Sequence, residues 1–439
     1  MKIMRFFIVY ILIAAFCALL SAGCNGGETK NGAGPASGTG LRVRVVDDLS
    51  GTKSRVPNAL VVLGDRNGAL IATGTTDANG EYTFDTRPAD ATVTTAMECD
   101  PSGGGQSGVI YSLYDVNVPE VSIGGCTPLT PLGTMTLNIT NSIGSAASNR
   151  IYIGRDGYYY NSLISSVTVT VHQHQLQNDG NLSIVVLALD ASGPVGYGMV
   201  LDRPFVNGMT VAVDVDQVMG HLQYSMTNFP GFVTRVDSQI NSTRKERTLT
   251  LFGNFISSPT STIVDVAYFP GYGTEHSYYA SAYIDRNGNG QYDAILSSGI
   301  LGDTATPSNK SFNFSLMPSA PANITVSRAT GTVTPTLSWS GTDGSTTRLF
   351  GYVSFTMAGF NMSFSAAPTR RSVVFPELPE ALAQFRPNEW VSTFSLANTV
   401  SSAYSGYSDY LIKRDQLMSG SWAMPANTTT RQGVGLYNF

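Results

Sequence analysis

The chain has 439 residues, and charged side chains make up only 13 % of them, about half the ~25 % usual in soluble domains. Hydrophobic residues at 42 % exclude a chain kept unfolded by charge. A net charge of −5 lacks the basic footprint of a nucleic-acid binder, so no nucleic-acid partner is expected. At ~150 residues per domain the length suggests about three domains.

The first element is N-terminal. Lys2 and Arg5 precede an uninterrupted apolar run over residues 6–20, shorter than the ~20 residues needed to span a bilayer, which predicts a secretory signal peptide. The segment Leu20-Ser21-Ala22-Gly23-Cys24 resembles the lipobox of bacterial lipoproteins. That resemblance implies cleavage after residue 23 and acylation of Cys24, with Ser21 departing from the commoner Leu or Val. Two or three acyl chains, at ~0.8 kcal/mol per buried CH₂, would anchor the mature chain durably. Asn25, by resemblance to enteric lipoproteins, implies the outer membrane. Residues 25–40 (NGGETKNGAGPASGTG) are Gly-rich and polar, a flexible tether reaching roughly 20–25 Å. Of four cysteines, one lies in the signal and one takes the lipid. Cys99 and Cys126 remain as an even pair in an oxidising compartment, predicting a disulfide that stabilises the fold by about 3.5 kcal/mol in the chain-entropy model.

Beyond the tether the pattern is short strands and turns, predicting an all-β chain of tandem antiparallel β-sandwich domains. Period-two alternation recurs at Leu41-Arg-Val-Arg-Val45, Val167-Thr-Val-Thr-Val171, Met209-Thr-Val-Ala-Val213 and Thr248-Leu-Thr-Leu251. The best helical candidate, residues 377–384, is cut by Pro376 and Pro379. A first domain is expected over residues 41–138. It contains VPNALVVL at 56–63, a hairpin at Asp65-Arg-Asn-Gly68, and TGTTDANGEYTF at 73–84, whose Asp77 caps local amides while Asn79 and Gly80 accept positive φ. These two motifs resemble the carboxypeptidase regulatory-like domain, which implies a transthyretin-like sandwich of seven strands, mostly non-catalytic and related to starch-binding modules. No His is followed by Glu at HxxE spacing, so the peptidase chemistry found beside that domain elsewhere is not expected. A second β-rich domain is expected over 139–317. A third, over 318–439, carries Pro321-Ala-Asn-Ile-Thr-Val326, Pro335-Thr-Leu-Ser-Trp339 and Glu389-Trp390. It resembles a fibronectin type III sandwich, with Trp339 implied in the core and Trp390 in place of the usual Tyr of the sixth strand.

Asp285-Arg-Asn287-Gly-Asn289-Gly290-Gln291-Tyr-Asp293 offers oxygens at positions one, three, five and nine, a Gly at six and a backbone carbonyl at seven. This reproduces the first nine positions of an EF-hand-type Ca²⁺ loop. Position twelve is Leu296 rather than Glu, so the loop is more similar to those of dockerin, thrombospondin type 3 and bacterial surface sandwiches. Structural Ca²⁺ is expected, with Asp303 as a further ligand; the alternative is a plain hairpin turned by two Asn-Gly steps. His172 and His174, two apart on a predicted strand, have metal-ligand spacing but no visible third ligand, which favours surface polar residues.

No GxSxG, HExxH or Walker motif is present, Ser50-Gly-Thr-Lys53 sits in a turn, and no His lies near a recognisable nucleophile. An enzyme is not expected. Tyr152 with Tyr158-Tyr159-Tyr160, and Tyr404, Tyr407 and Tyr410, could offer platforms to sugar rings; packing of Tyr across strands is the favoured reading. The terminal Tyr437-Asn-Phe439 is loosely similar to the end of outer-membrane barrels, which a lipid anchor makes redundant. The expected function is a non-catalytic, lipid-anchored envelope or surface protein, a binding or scaffold module in adhesion or envelope assembly. The alternative is a carbohydrate-binding lipoprotein.

Overall fold

The structure is a computed structural model and describes residues 40–438 except 48–53, 100–107, 127–129, 155, 161, 178, 192, 246, 253–255, 258–262, 329–334, 342–344, 356–359, 388–390 and 420. The signal segment, Cys24, residues 25–39 of the tether, the Ser50–Lys53 turn, Trp390 and Phe439 lie outside the described residues. The chain is all-β, built of antiparallel sandwiches in tandem.

The first sandwich closes over seven strands. Leu41–Asp47 pairs antiparallel with Glu81–Phe84 and parallel with Glu120–Gly125. The facing sheet runs Leu70–Thr75, Leu60–Gly64, Ala91–Glu98, Gly108–Val116. Alternation drives the pairing: Leu41, Val43 and Val45 point inward onto Val61, Leu63, Val93 and Val121. Both tight turns form. Asp65 Oδ1 accepts from the amides of Asn67 and Ala69, and Asp77 Oδ1 from those of Asn79 (2.8 Å) and Glu81 (2.9 Å). Positive φ falls on Gly68 (83°) and Gly80 (68°) but on neither Asn67 nor Asn79, so glycine alone takes the left-handed position in each turn.

A second sandwich sets a five-stranded sheet, ordered Asp156–Tyr160, Ser148–Ile153, Asn181–Asp190, Gly193–Pro204, Gln217–Val218, against Ser166–His172, Pro131–Asn141 and Met209–Val215. The strand Pro131–Asn141 runs through positions 138 and 139, where the first domain boundary is expected.

Most of the remaining strands extend the facing sheet of the first sandwich into one long sheet. Its hydrogen-bonded path runs Arg247–Phe252, Val233–Arg244, Glu275–Ile284, Ala294–Asp303, Thr428–Asn438, Val391–Ser401, Arg348–Phe355, Phe360–Ala366, and then through a parallel pair into Gly108–Val116 of the first sandwich. Three short sheets cover successive stretches of it. The sheet of Ile263–Tyr268, Gly220–Thr227 and Lys310–Asn313 closes a core rich in tyrosine, including Tyr224, Tyr272 and Tyr278. The sheet of Ala322–Arg328, Pro335–Ser340 and Ser372–Val374 closes another around Trp339, Phe364 and Phe394. The first sandwich supplies the third cover. The segment 139–317 therefore contributes to two separate cores.

One helix forms where none was expected. Tyr407–Met418, α1, packs Tyr407, Tyr410 and Leu411 into the core of the first sandwich. Residues 377–384 yield only a 3₁₀ turn at Glu380–Phe385, entered from Pro379. Pro376 and Pro379 hold the residues before them extended and Leu382 (φ −117°) interrupts the turn, whereas Tyr407, Tyr410, Leu411 and Arg414 recur at helical spacing.

Candidate functional site

The hairpin of Glu275–Ile284 and Ala294–Asp303 carries a polar group at each end. Its register aligns Ile284 with Ala294 at the loop end and His276 with Asp303 at the other. At ~3.4 Å per residue, the two ends lie about 30 Å apart. This corrects one expectation: Asp303 is too far away to join the loop's ligands.

At the loop end the backbone amide of Asp285 donates to the carbonyl of Phe232, and that of Asp293 to the carbonyl of Ile284. The Asp285 carboxylate is turned inward: Oδ2 accepts from the Gly290 amide at 2.8 Å, and the residue is only 7 % exposed. Asp293 Oδ2 accepts from the Arg286 amide at 2.7 Å, and its Oδ1 from Asn287 Nδ2 at 3.0 Å. Asn289 Oδ1 accepts from the Gln291 amide at 2.8 Å. Gly288 and Gly290 adopt φ of 65° and 77°, the left-handed conformation that lets the loop turn tightly at both positions. The flanking Tyr278–Ile284 segment is a strand, as the sequence predicts, and Leu296 is buried in the opposite one.

At the far end, Ser242 and His276 are register partners, and Ser242 Oγ lies 3.1 Å from His276 Nδ1. Sequence reasoning missed this pair because 34 residues separate them and only strand pairing joins them. Burial lowers the His276 pKa, Asp303 opposes that shift, and Lys310 adds to it. Burial works against the Asp303 carboxylate too, but Lys310 Nζ at 2.7 Å and the Ala305 amide outweigh it and hold its pKa below the usual range. Ser242 is 1 % exposed and His276 5 %, so no substrate carbonyl can reach the hydroxyl. The geometry is that of a structural hydrogen bond.

The tyrosine clusters are packed. Tyr407 donates to the carbonyls of Tyr114 (2.8 Å) and Ser365 (3.0 Å), and stacks on Tyr410. Tyr404 meets Tyr410 edge-on, and burial pushes its pKa up to about 12. Beside them Arg348 donates to Tyr410 Oη at 2.6 Å in a cavity of about 30 Å³ that Leu301, Thr399 and Met424 also line, too small for a sugar ring. In the other cluster Tyr152 is buried beneath Arg150, and Tyr158 accepts from Gln175 Nε2.

The histidines differ from expectation. His172 ends its strand, and His174 lies in the following 3₁₀ turn Gln173–Gln175, so strand alternation does not set their common face. Their rings are 5.7 Å apart. Among the described residues no group of three or more His, Cys, Asp and Glu side chains is placed to hold a metal. Cys99 and Cys126 form a disulfide with Cα atoms 5.5 Å apart.

No family model matches the sequence, and no curated protein matches it. Similar solved structures include a candidate cell adhesion protein from Bacteroides fragilis, 12 % identical, covering 73 % of this chain and 93 % of that one at a TM-score of 0.17. A candidate polysaccharide-binding protein from Bacteroides thetaiotaomicron is 7 % identical and covers 36 % and 78 % at 0.15. A candidate adhesin from Bacteroides ovatus is 7 % identical and covers 35 % and 74 % at 0.14. Likenesses this distant carry no argument about activity or partner. No helix among the described residues is long and apolar enough to cross a membrane.

Proposed function

We propose that the chain is a non-catalytic scaffold of the bacterial envelope or cell surface, held to the outer membrane by lipid on Cys24 and presenting a stiff row of sandwiches to a protein partner in adhesion or envelope assembly. In this reading the first sandwich is a carboxypeptidase regulatory-like domain and the last a fibronectin type III-like one. The observation that carries it is the unbroken sheet from Arg247–Phe252 to Leu70–Thr75, which fixes the sandwiches sharing it in orientation through backbone hydrogen bonds. A module that transmits position or load needs such rigidity; a chain of independent domains on loops would not supply it. Burial of Tyr407 and Tyr410 weighs against the carbohydrate reading, because it removes two of the rings that a sugar would stack on.

The test has two arms. Cys24→Ala is expected to shift the natively expressed protein from the membrane to the soluble fraction, and an unchanged distribution contradicts the anchor. The full mature protein is expected to retain no polysaccharide on a glycan array. Retention that Tyr158→Ala abolishes would replace the scaffold reading with sugar binding.

A further inference from the structure

We propose that the loop from Asp285 to Asp293 binds one Ca²⁺, with the Asp285 carboxylate as its principal ligand. Asp115, Asp303 and Asp415 are buried carboxylates, and each is paired with a cation: Arg370, Lys310 and Arg44 respectively. Asp285 is buried to a similar degree, yet no Lys or Arg among the described residues pairs with it. Its Oδ1 is sealed from solvent and has no hydrogen-bond partner. A carboxylate oxygen sealed from water and without a donor is unfavourable unless a positive charge reaches it. Its Oδ2 accepts from the Gly290 amide, so the carboxylate faces the loop.

The same loop carries the other donors. Asn287, Asn289 and Asp293 follow at positions three, five and nine, and the Gln291 carbonyl stands at seven. All are oxygens, the donor set of a hard divalent cation, with no sulfur or imidazole to favour a softer metal. Asn287 Nδ2 faces Asp293 Oδ1; turning that amide over brings its own oxygen to the same place, which a cation between the two would favour. Five donor groups that include two carboxylates, with water filling the remaining positions, suit Ca²⁺ better than Mg²⁺, which demands a tighter octahedron. This inference is independent of the scaffold reading, because it rests on the loop's own groups. Its consequence is mechanical: the carbonyl of Asp293 accepts from the Leu436 amide, so the ion would brace the long sheet where the final strand joins it.

The experiment is a titration of the full mature protein with Ca²⁺ alone, after exhaustive EDTA treatment, followed by calorimetry and by the melting temperature. Tb³⁺ emission sensitised by Tyr292 and Tyr283, whose rings lie 4.9 Å apart beside the loop, gives a second readout. Expected are one site with Kd on the order of 10⁻⁴–10⁻³ M, a rise in melting temperature with Ca²⁺, and a much smaller one with equal Mg²⁺. Asp285→Asn is expected to weaken Ca²⁺ at least ~10-fold while leaving the EDTA-treated protein no less stable, since it removes an unpaired buried charge. If that variant fails to fold, Asp293→Asn combined with Asn289→Ala is expected to abolish the Tb³⁺ signal. Absence of binding heat and of any Ca²⁺-dependent shift in the native chain would overturn the proposal. So would a response that survives both variants.

Discussion

The first sandwich and the tyrosine-rich sandwich built over Val233–Arg244 and Glu275–Ile284 share a wall of one sheet, yet they are held by different means. The first has an aliphatic core of Val, Leu and Ile, and distant parts of the chain complete it. Arg370 makes a buried, forked pair with Asp115, with Nη2 2.6 Å from Oδ1. On α1, Asp415 binds Arg44 and accepts from Ser122 Oγ at 2.8 Å, and the Cys99–Cys126 disulfide ties Ala91–Glu98 to the segment after Glu120–Gly125. The tyrosine-rich sandwich instead fills its centre with rings, Tyr224 packing against Phe312 and Tyr278, and its strands are mostly near neighbours in sequence. The first is closed by ion pairs and a disulfide between distant parts of the chain; the second sets a wide aromatic area beside ion pairs made close in sequence, Lys310–Asp303 and Arg235–Asp237.

That contrast can be broken most forcefully at Arg370. Arg370→Ala strands the Asp115 carboxylate in the first sandwich and is expected to cost about 3–5 kcal/mol by chemical denaturation. The double replacement Arg370→Met with Asp115→Leu is expected to recover most of it. Next in size, Cys99→Ser is expected to cost about 2–5 kcal/mol, and reduction of the native protein should do the same while leaving the variant unmoved. The smallest effect belongs to the other sandwich and is a slope. His276 has a lowered pKa when folded, so below its unfolded value of ~6.5 the unfolded chain binds a proton that the folded chain resists. Stability is therefore expected to decline as pH falls from about 7 to 5, and His276→Gln should flatten that decline.

Local chemistry was legible in the sequence and distant pairing was not. Asp77 and Gly80 announce their turn because its hydrogen bonds span four residues. The inward stripe of Leu41, Val43 and Val45 is set by alternation alone. Nothing in Phe360–Ala366 signals that it will lie parallel to Gly108–Val116, some 250 residues earlier, because both are ordinary apolar strands whose free edges happen to match. The helix α1 was misread for a related reason. Its tyrosines suit strands as well as helices, and only the spacing of Tyr407, Tyr410, Leu411 and Arg414 distinguishes the two. In the Asp285–Asp293 loop, the sequence supplied the donors. That Asp285 is buried and pairs with no cation required the neighbouring strands.

Scanning calorimetry of the mature protein tests most directly whether the long sheet welds its sandwiches into one structural unit. A single endotherm is expected for the sandwiches of that sheet, with calorimetric and van't Hoff enthalpies in agreement, and one that moves as a whole on Arg370→Ala. Separate transitions for the first and the last sandwich, with only the first displaced by the substitution, would contradict it.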